Sequence, residues 1–196
     1  MAETVNQQRV IRFLATRIGK DHSINDIARE CNLAPNGAYK ILTKFEKQGA
    51  FKVKTIANIK SYSMNFDNEK TRPVLELAFT PNVLEGRVKL RAEDLQRLKS
   101  TAKACILFGS YITQKEKPGD LDVLFVLEKK DYERFRDTLA KVQDLVPVKI
   151  QDVVQTPEDL KDNLKKGDPI VMVALQKGIV LWGSNVLAET VKNANK

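Results

Sequence analysis

Histidine and cysteine are scarce in this 196-residue chain, which contains His22, Cys31 and Cys105 and no others. A single histidine argues against a serine or cysteine catalytic triad and against a histidine-rich zinc site. The two cysteines are far apart, each lies in an apolar context, and neither shows metal-ligand spacing. We therefore predict free core thiols in a reducing, cytoplasmic environment.

Long apolar runs are also missing. No window contains the roughly 18 uncharged apolar residues that a membrane span requires, so we predict no membrane contact. Residues 1–13 lack a basic segment followed by an apolar one, and we expect no signal peptide. Because 42% of the residues are hydrophobic, the chain can still build a core, as one large domain or two small ones.

Positive charge is concentrated in the first third of the chain. The net charge is +8, and residues 1–66, with 11 basic and 5 acidic residues, contribute +6 of it. A small basic module is typical of a nucleic-acid binder. The alternative is that excess lysine only keeps the surface soluble.

The first third has the pattern of a small helical module. Apolar residues recur at helical spacing over 5–18. Ser23 is a good N-cap for a second helix, and residues 32–34 form a short turn. Pro35 suits the start of a third helix, which Gly49 ends.

Beyond the third helix, residues 51–66 alternate in places like two short strands, with a turn near Ala57 and Asn58. Helix, helix, turn, basic helix and β-ribbon together resemble a winged helix-turn-helix domain over residues 4–66. The resemblance implies a mainly α domain that binds DNA, with the third helix in the major groove and the ribbon, or wing, on the backbone.

The residues that this resemblance implies for DNA contact are, on the helix, Asn36, Tyr39, Lys40, Thr43 and Lys44, and on the wing, Lys52, Lys54 and Lys60. Winged helices also serve as protein–protein modules, and they often dimerise, so a homodimer is a second expectation. A solvated basic face on a helical dimerisation domain is the plainer alternative.

The middle of the chain mixes charge with weak periodicity. Pro73 and Pro81 interrupt it, and an amphipathic helix is predicted only at about 91–102. The predicted divisions are a first domain at 1–66, a linker with partial cover at 67–90 and a second domain at 91–196.

The last hundred residues follow an α/β pattern. Strands are predicted at 104–108, 120–127 and 146–154, with a helix at 131–145 before the third strand. Side chains alternate along a strand, so Asp120 and Asp122 share one face, about 7 Å apart.

The two aspartates repel each other unless a cation lies between them. Mg²⁺ prefers such oxygen ligands together with substrate phosphates. Gly109 and Ser110 end the preceding strand, where the backbone could approach a phosphate closely.

The sequence Gly-Ser, nine residues, Asp-apolar-Asp resembles the nucleotidyltransferase superfamily that includes DNA polymerase beta and kanamycin nucleotidyltransferase. Leu107 to Tyr111 is closest to its minimal nucleotidyltransferase branch, and the resemblance covers about residues 95–183. It implies an α+β domain with a mixed sheet. The alternative is a Gly-Ser turn before a strand with two solvent-facing acids.

The resemblance implies transfer of a nucleoside monophosphate from an NTP by a two-metal mechanism. Asp120 and Asp122 would hold Mg²⁺ or Mn²⁺, and Gly109 and Ser110 would hold the triphosphate. The family adds a third metal-binding or catalytic acid on the next strand, for which Asp152 is the best candidate.

Three positions depart from the family pattern or leave it open. Gln151 is the alternative to Asp152 in the other strand register, and glutamine cannot act as a base. Lys115 is the candidate phosphate-binding cation where the family commonly has arginine. Gly119 stands where the family commonly has serine.

Two functions follow as hypotheses. The first is an active nucleotidyltransferase with a winged-helix nucleic-acid-binding module. The second is a DNA-binding transcriptional regulator, or an antitoxin-like protein, whose second domain only binds nucleotide. The branch includes proteins that modify a partner toxin, so the acceptor could be a separate toxin or another protein.

Overall fold

The computed structural model describes residues 4–81, 83–113 and 119–195. Its N-terminal part combines helices with a small antiparallel sheet of strand order β1-β3-β2. The elements are α1 (Val5–Thr16), β1 (His22–Ser23), α2 (Ile24–Glu30), α3 (Pro35–Lys47), β2 (Phe51–Ile56) and β3 (Ile59–Met64).

Local signals in the sequence set the ends of these elements. The Ser23 hydroxyl accepts a hydrogen bond from the Asp26 backbone N–H at 3.2 Å and caps α2. Pro35 is the first residue of α3. Ala57 and Asn58, with φ of 47° and 65°, connect β2 to β3, as the right-handed twist of a two-residue hairpin requires. The predicted order of helix, helix, turn, helix and ribbon is confirmed.

The C-terminal part contains a four-stranded sheet of order β6-β5-β4-β7. Strands β5 and β6 are parallel, whereas β4 is antiparallel to both β5 and β7, so the sheet is mixed, as predicted. The elements are β4 (Ala104–Phe108), α6 (Ser110–Thr113), β5 (Asp120–Val126), α7 (Tyr132–Gln143), β6 (Lys149–Gln155), α8 (Pro157–Lys166), α9 (Pro169–Lys177), β7 (Ile179–Trp182) and α10 (Ser184–Ala194).

Both faces of this mixed sheet are covered. On β5, Val123 and Phe125 join the cluster that contains α7, and Phe125 meets Phe135 edge-on at 4.9 Å between ring centroids. Leu124 and Val126 point the other way, into a cluster shared with α8 to α10 and with the N-terminal helices. An apolar strand buried on both faces explains why the run 121–127 is almost continuously hydrophobic.

Residues 67–90, predicted as a linker with partial cover, contain the helix α4 (Thr71–Phe79) and the start of α5 (Gly86–Leu95). Pro73 lies in the first turn of α4, where a backbone N–H would have no intrahelical partner, so it does not break the helix. Leu75 and Phe79 are buried, and α4 packs against α1 and α10. The helix predicted at 91–102 therefore begins earlier and continues as a 3₁₀ helix at Gln96–Ser100.

Two local interactions hold the C-terminal elements. Asp168 caps α9 by accepting the Val171 backbone N–H at 3.0 Å, and α9 ends at Lys177. Trp182 is a packing anchor, buried, with its indole Nε1 donating to the Ala102 carbonyl oxygen at 2.8 Å. Within the described ranges, no helix has the length and apolar character needed to cross a membrane.

Candidate functional site

The Gly-Ser turn lies directly against the second aspartate. Phe108, at the end of β4, pairs with Asp122 on β5, and the chain turns at Gly109. Gly109 has a φ of +74°, and a Cβ atom there would lie 2.0 Å from Asp122 Oδ2. This position therefore requires glycine for two reasons: its backbone is left-handed, and the Asp122 carboxylate occupies the space that a Cβ atom would need.

The Asp122 carboxylate is held by the same turn. The Ser110 backbone N–H donates to it, which favours the ionised form. Partial burial and then repulsion by Asp120 act more strongly, and they raise the pKa of Asp122 above its ordinary value of 3.8. Since the folded pKa exceeds the unfolded one, ionised Asp122 destabilises the fold, and this cost disappears as the pH falls through the folded pKa.

Asp120 and Asp122 share one face of the sheet with residues of the neighbouring strand. In the parallel pairing, Asp120 lies beside Lys149 and Asp122 beside Gln151. Lys149 and Gln151 are both exposed. The two carboxylates thus have a cation and an amide as their strand neighbours.

The structure does not bring Asp152 to these aspartates. Asp152 pairs with Val123, so its side chain lies on the opposite face of the sheet. There it accepts a hydrogen bond from Arg136 Nη1 of α7 at 2.6 Å. The prediction of Asp152 as the third acid is corrected by this register, and Gln151, the alternative, occupies the position beside Asp122.

A cleft of about 430 Å³ opens at this face. Its floor comes from the ends of β4, β5 and β6, and its wall from α9. The lining residues are Phe108, Gly109, Asp122, Gln151, Asp152, Val153, Pro169, Ile170 and Val173; Asp152 is among them although its carboxylate binds Arg136 on the other face. Ile170 and Val173 are 47% and 41% exposed, so α9 gives the cleft an open apolar wall, and Asp122 is the acid at its floor.

This donor set fits one divalent cation. Burial and then repulsion by Asp120 raise the pKa of Asp122, and a bound cation would offset both effects. Mg²⁺ commonly uses one or two carboxylates together with water and phosphate oxygens. A second ion would lack a third carboxylate: in the described ranges, no three histidine, cysteine, aspartate or glutamate side chains are grouped suitably for a metal. Lys115, the predicted phosphate-binding cation, lies outside the described residues.

The predicted DNA-contacting residues of α3 divide into two groups. Asn36, Tyr39 and Lys40 are exposed. The Thr43 hydroxyl is buried, and Lys44 is half-buried with its ammonium 4.8 Å from the centre of the Phe45 ring. Fewer of the five predicted α3 residues are therefore fully exposed to a DNA ligand than the helical pattern of the sequence suggests.

The three predicted wing cations differ in whether they form ion pairs with nearby acids. Lys52 forms an ion pair with Asp67 at 2.5 Å, and Lys54 with Asp21 at 2.8 Å. Lys60, near the hairpin turn, is exposed, and no ion pair to it is found among the described residues. Lys60 is thus the wing cation most available to a phosphate.

The apolar wall formed by Ile170 and Val173 was missed at the level of sequence. Residues 169–177 are apolar on nearly every side, a pattern typical of a fully buried helix. Ala174 and Leu175 are indeed buried, and the surplus apolar residues face the cleft. That surplus is the signal that could have identified the wall.

Comparison with known proteins adds little to this geometry. A family model described as a family of unknown function, DUF6932, matches residues 81–171, somewhat less than half of the chain. The match spans β4, β5 and β6. No curated protein matches the chain.

Among solved structures, the chain is similar to the crystal structure of a mutant of MepR from a multidrug resistant S. aureus clinical isolate. The two share 12% identity over 73% of this chain and 80% of that one, with a TM-score of 0.36. At this TM-score the likeness defines neither the fold nor the function.

Proposed function

We propose that the C-terminal part of this protein is a metal-dependent nucleotidyltransferase, which moves a nucleoside monophosphate from an NTP to an acceptor hydroxyl. The observation that carries the proposal is the contact between the Gly109–Ser110 turn and Asp122, on the strand face that also presents Asp120. The Gly-Ser and Asp-apolar-Asp motifs, separated in sequence by nine residues, meet in one place.

Each residue has a distinct part in the proposed reaction. Asp120 and Asp122 would hold Mg²⁺ or Mn²⁺, which supplies charge neutralisation at the transferred phosphoryl group when bound. Gly109 leaves room for the Asp122 carboxylate and so orients it. Ser110 fixes that carboxylate through its backbone N–H, and its half-buried side chain lies at the same turn.

The cleft combines an acidic side chain and an apolar surface, and a bound nucleotide could use both. Asp122 at its floor suits the cation that accompanies a triphosphate, and the apolar wall of Ile170 and Val173 suits the face of a base. Gln151 beside Asp122 can hydrogen-bond an acceptor, but an amide cannot remove a proton from it. Deprotonation of the acceptor would therefore need a group other than Gln151.

Transfer of radioactive label tests the proposal. The purified protein would be incubated with each α-labelled NTP and Mg²⁺ or Mn²⁺, with and without cell extract to supply the acceptor. We expect label transfer by the wild type and none by Asp120→Ala/Asp122→Ala, because the double variant has lost both metal-binding carboxylates.

The matched control for this assay is Asp152→Asn. It removes an aspartate of the same sheet, but one that faces α7 and Arg136. It should transfer label as well as the wild type does. Transfer by the double variant would show that the two aspartates are not the centre of the activity. Loss of transfer in Asp152→Asn would show that the activity also requires Asp152, against its position facing α7.

DNA binding by the N-terminal part is the second proposal. It is supported by the exposed Asn36, Tyr39 and Lys40 on α3 and by the exposed Lys60 at the hairpin, on a part of the chain with a net charge of +6. Under this proposal, the C-terminal cleft binds nucleotide without transferring it, consistent with Asp152 lying on the opposite face.

Salt-dependent DNA binding distinguishes this proposal from an unspecific basic surface. For Lys40→Glu/Lys60→Glu we expect weaker DNA binding. The slope of the logarithm of the binding constant against the logarithm of the salt concentration should become shallower by about 1 for each lysine that contacts a phosphate. The control, Lys141→Glu/Lys165→Glu, changes the net charge equally at two exposed lysines of the C-terminal part. If both double variants lose affinity to the same extent, α3 and the hairpin are not the binding surface.

A further inference from the structure

A buried arginine of α1 lies against the C-terminal end of α9. Arg12 of α1 is only 9% exposed. No ion pair to Arg12 is found in the part of the chain that the structure describes, and burial lowers its pKa from its ordinary value to about 10. A buried cation is costly unless something compensates its charge.

The contacts of Arg12 compensate this charge only in part. Its Nε donates to the Leu175 carbonyl oxygen at 2.5 Å, and Nη2 donates to the Ala174 carbonyl oxygen at 3.4 Å, near the C-terminal end of α9. The Phe79 ring lies 5.1 Å from the guanidinium carbon. Nη1 makes no hydrogen bond to any described residue. Arg12 thus stabilises the negative end of α9 and keeps one donor group unused.

Arg12 lines a cavity of about 510 Å³. Arg9 and Lys177 are further cations at its wall, and Glu30, an acid there, is shared with Arg17 and Arg29. The rest of the wall is largely apolar. Its apolar members include Val5, Phe13, Phe79, Leu84, Ile179 and Val180.

We propose that this cavity binds an organic anion with an apolar body, whose carboxylate pairs with Arg12. Guanidinium binds carboxylates through parallel, charge-assisted hydrogen bonds, and Nη1 supplies an unused donor for one of them. The volume and the mainly apolar wall match the size and character of small-molecule sites. The site shares no lining residue with the cleft at Asp122, so it stands independently of the proposed transfer reaction.

Paired acids and amides test the proposal on the full-length protein. Naphthalene-2-carboxylate and octanoate would each be titrated against the corresponding neutral amide, with inorganic phosphate as a third probe, and binding followed by calorimetry. We expect each acid to bind roughly tenfold or more tightly than its amide, since only the acid pairs with the guanidinium. Phosphate alone should bind weakly, because it leaves the apolar wall uncovered.

Two variants locate the binding. Arg12→Met keeps a long side chain but removes the charge, and it should abolish the preference for the acid. Val5→Trp places a large ring at the wall from an exposed position on the first turn of α1, leaving Arg12 intact, and should reduce binding of both acids. If Arg12→Met fails to fold, the effect of Val5→Trp on binding and the ratio of acid to amide affinity in the wild type still test the proposal.

Three outcomes would overturn the proposal. Equal affinity for acid and amide, or an acid preference that persists in Arg12→Met, would mean that Arg12 only stabilises the end of α9. Tight binding of phosphate with no gain from the apolar body would also overturn the proposal, because the ligand would then be a simple inorganic anion.

Discussion

Replacing Gly109 by alanine is expected to lower the free energy of unfolding by about 2–5 kcal/mol. Two costs combine. A left-handed φ of +74° is unfavourable for any residue with a Cβ atom, and that atom would lie 2.0 Å from Asp122 Oδ2. The carboxylate must then move away from the Ser110 backbone N–H. Urea unfolding followed by circular dichroism measures the change.

A double-mutant cycle separates the two costs of Gly109→Ala. In an Asp122→Ala background, the carboxylate is absent and only the Cβ atom of residue 122, 3.1 Å from the new Cβ atom, remains. The substitution should then cost little more than the backbone term, about 1–2 kcal/mol. Gly167→Ala is the control for that term, since Gly167 has a φ of +71° and an added Cβ would meet nothing within 4 Å. An equal cost of Gly109→Ala in both backgrounds would refute the contact between turn and carboxylate.

The same variant bears on the proposed activity. If Asp122 holds a metal ion, Gly109→Ala should lose metal-dependent NTP binding even where it remains folded, because the displaced carboxylate no longer faces the position of Asp120. Asp122→Ala should lose that binding too. Unchanged binding in folded Gly109→Ala would separate the cleft from the proposed function.

Gly183→Ala is expected to be the most damaging glycine substitution, with a cost of about 3–5 kcal/mol or more. Gly183 has a φ of +85°, and a Cβ atom would lie 2.3 Å from the Lys103 carbonyl oxygen and 2.5 Å from Ala104 Cα. These are backbone atoms at the start of β4. They cannot move without disturbing the pairing of Cys105 with Trp182.

Such a cost is a large part of the roughly 5–15 kcal/mol by which domains are usually stable, so we expect little soluble protein and a lower urea midpoint in what remains. Gly167→Ala again serves as the control, because it shares the left-handed backbone but not the contact. A midpoint for Gly183→Ala equal to that of Gly167→Ala would contradict the predicted clash.

Several features of the site could be predicted because they depend on short-range geometry. Strand alternation alone puts Asp120 and Asp122 on one face, and Gly109 is identifiable as the end of a buried strand. The cap Ser23 was equally predictable, since an N-cap needs only a side-chain oxygen and the next turn of backbone.

The tertiary structure decided what depends on pairing between distant segments. Asp152 and Gln151 are adjacent, so only the register of β6 against β5 determines which of them lies beside Asp122. The helix α4 was hidden because Pro73 was interpreted as a break, whereas packing against α1 and α10 stabilises the turns that follow it.

Arg12 is the clearest case of this division. The sequence determined that α1 is a helix with one apolar face, but an arginine within it is ordinarily expected at the surface. Burial of Arg12 results from the approach of α9 and α4, which supply the carbonyl oxygens and the Phe79 ring that hold it. Those partners lie far from Arg12 along the chain, and a local pattern contains no information about contacts of that range.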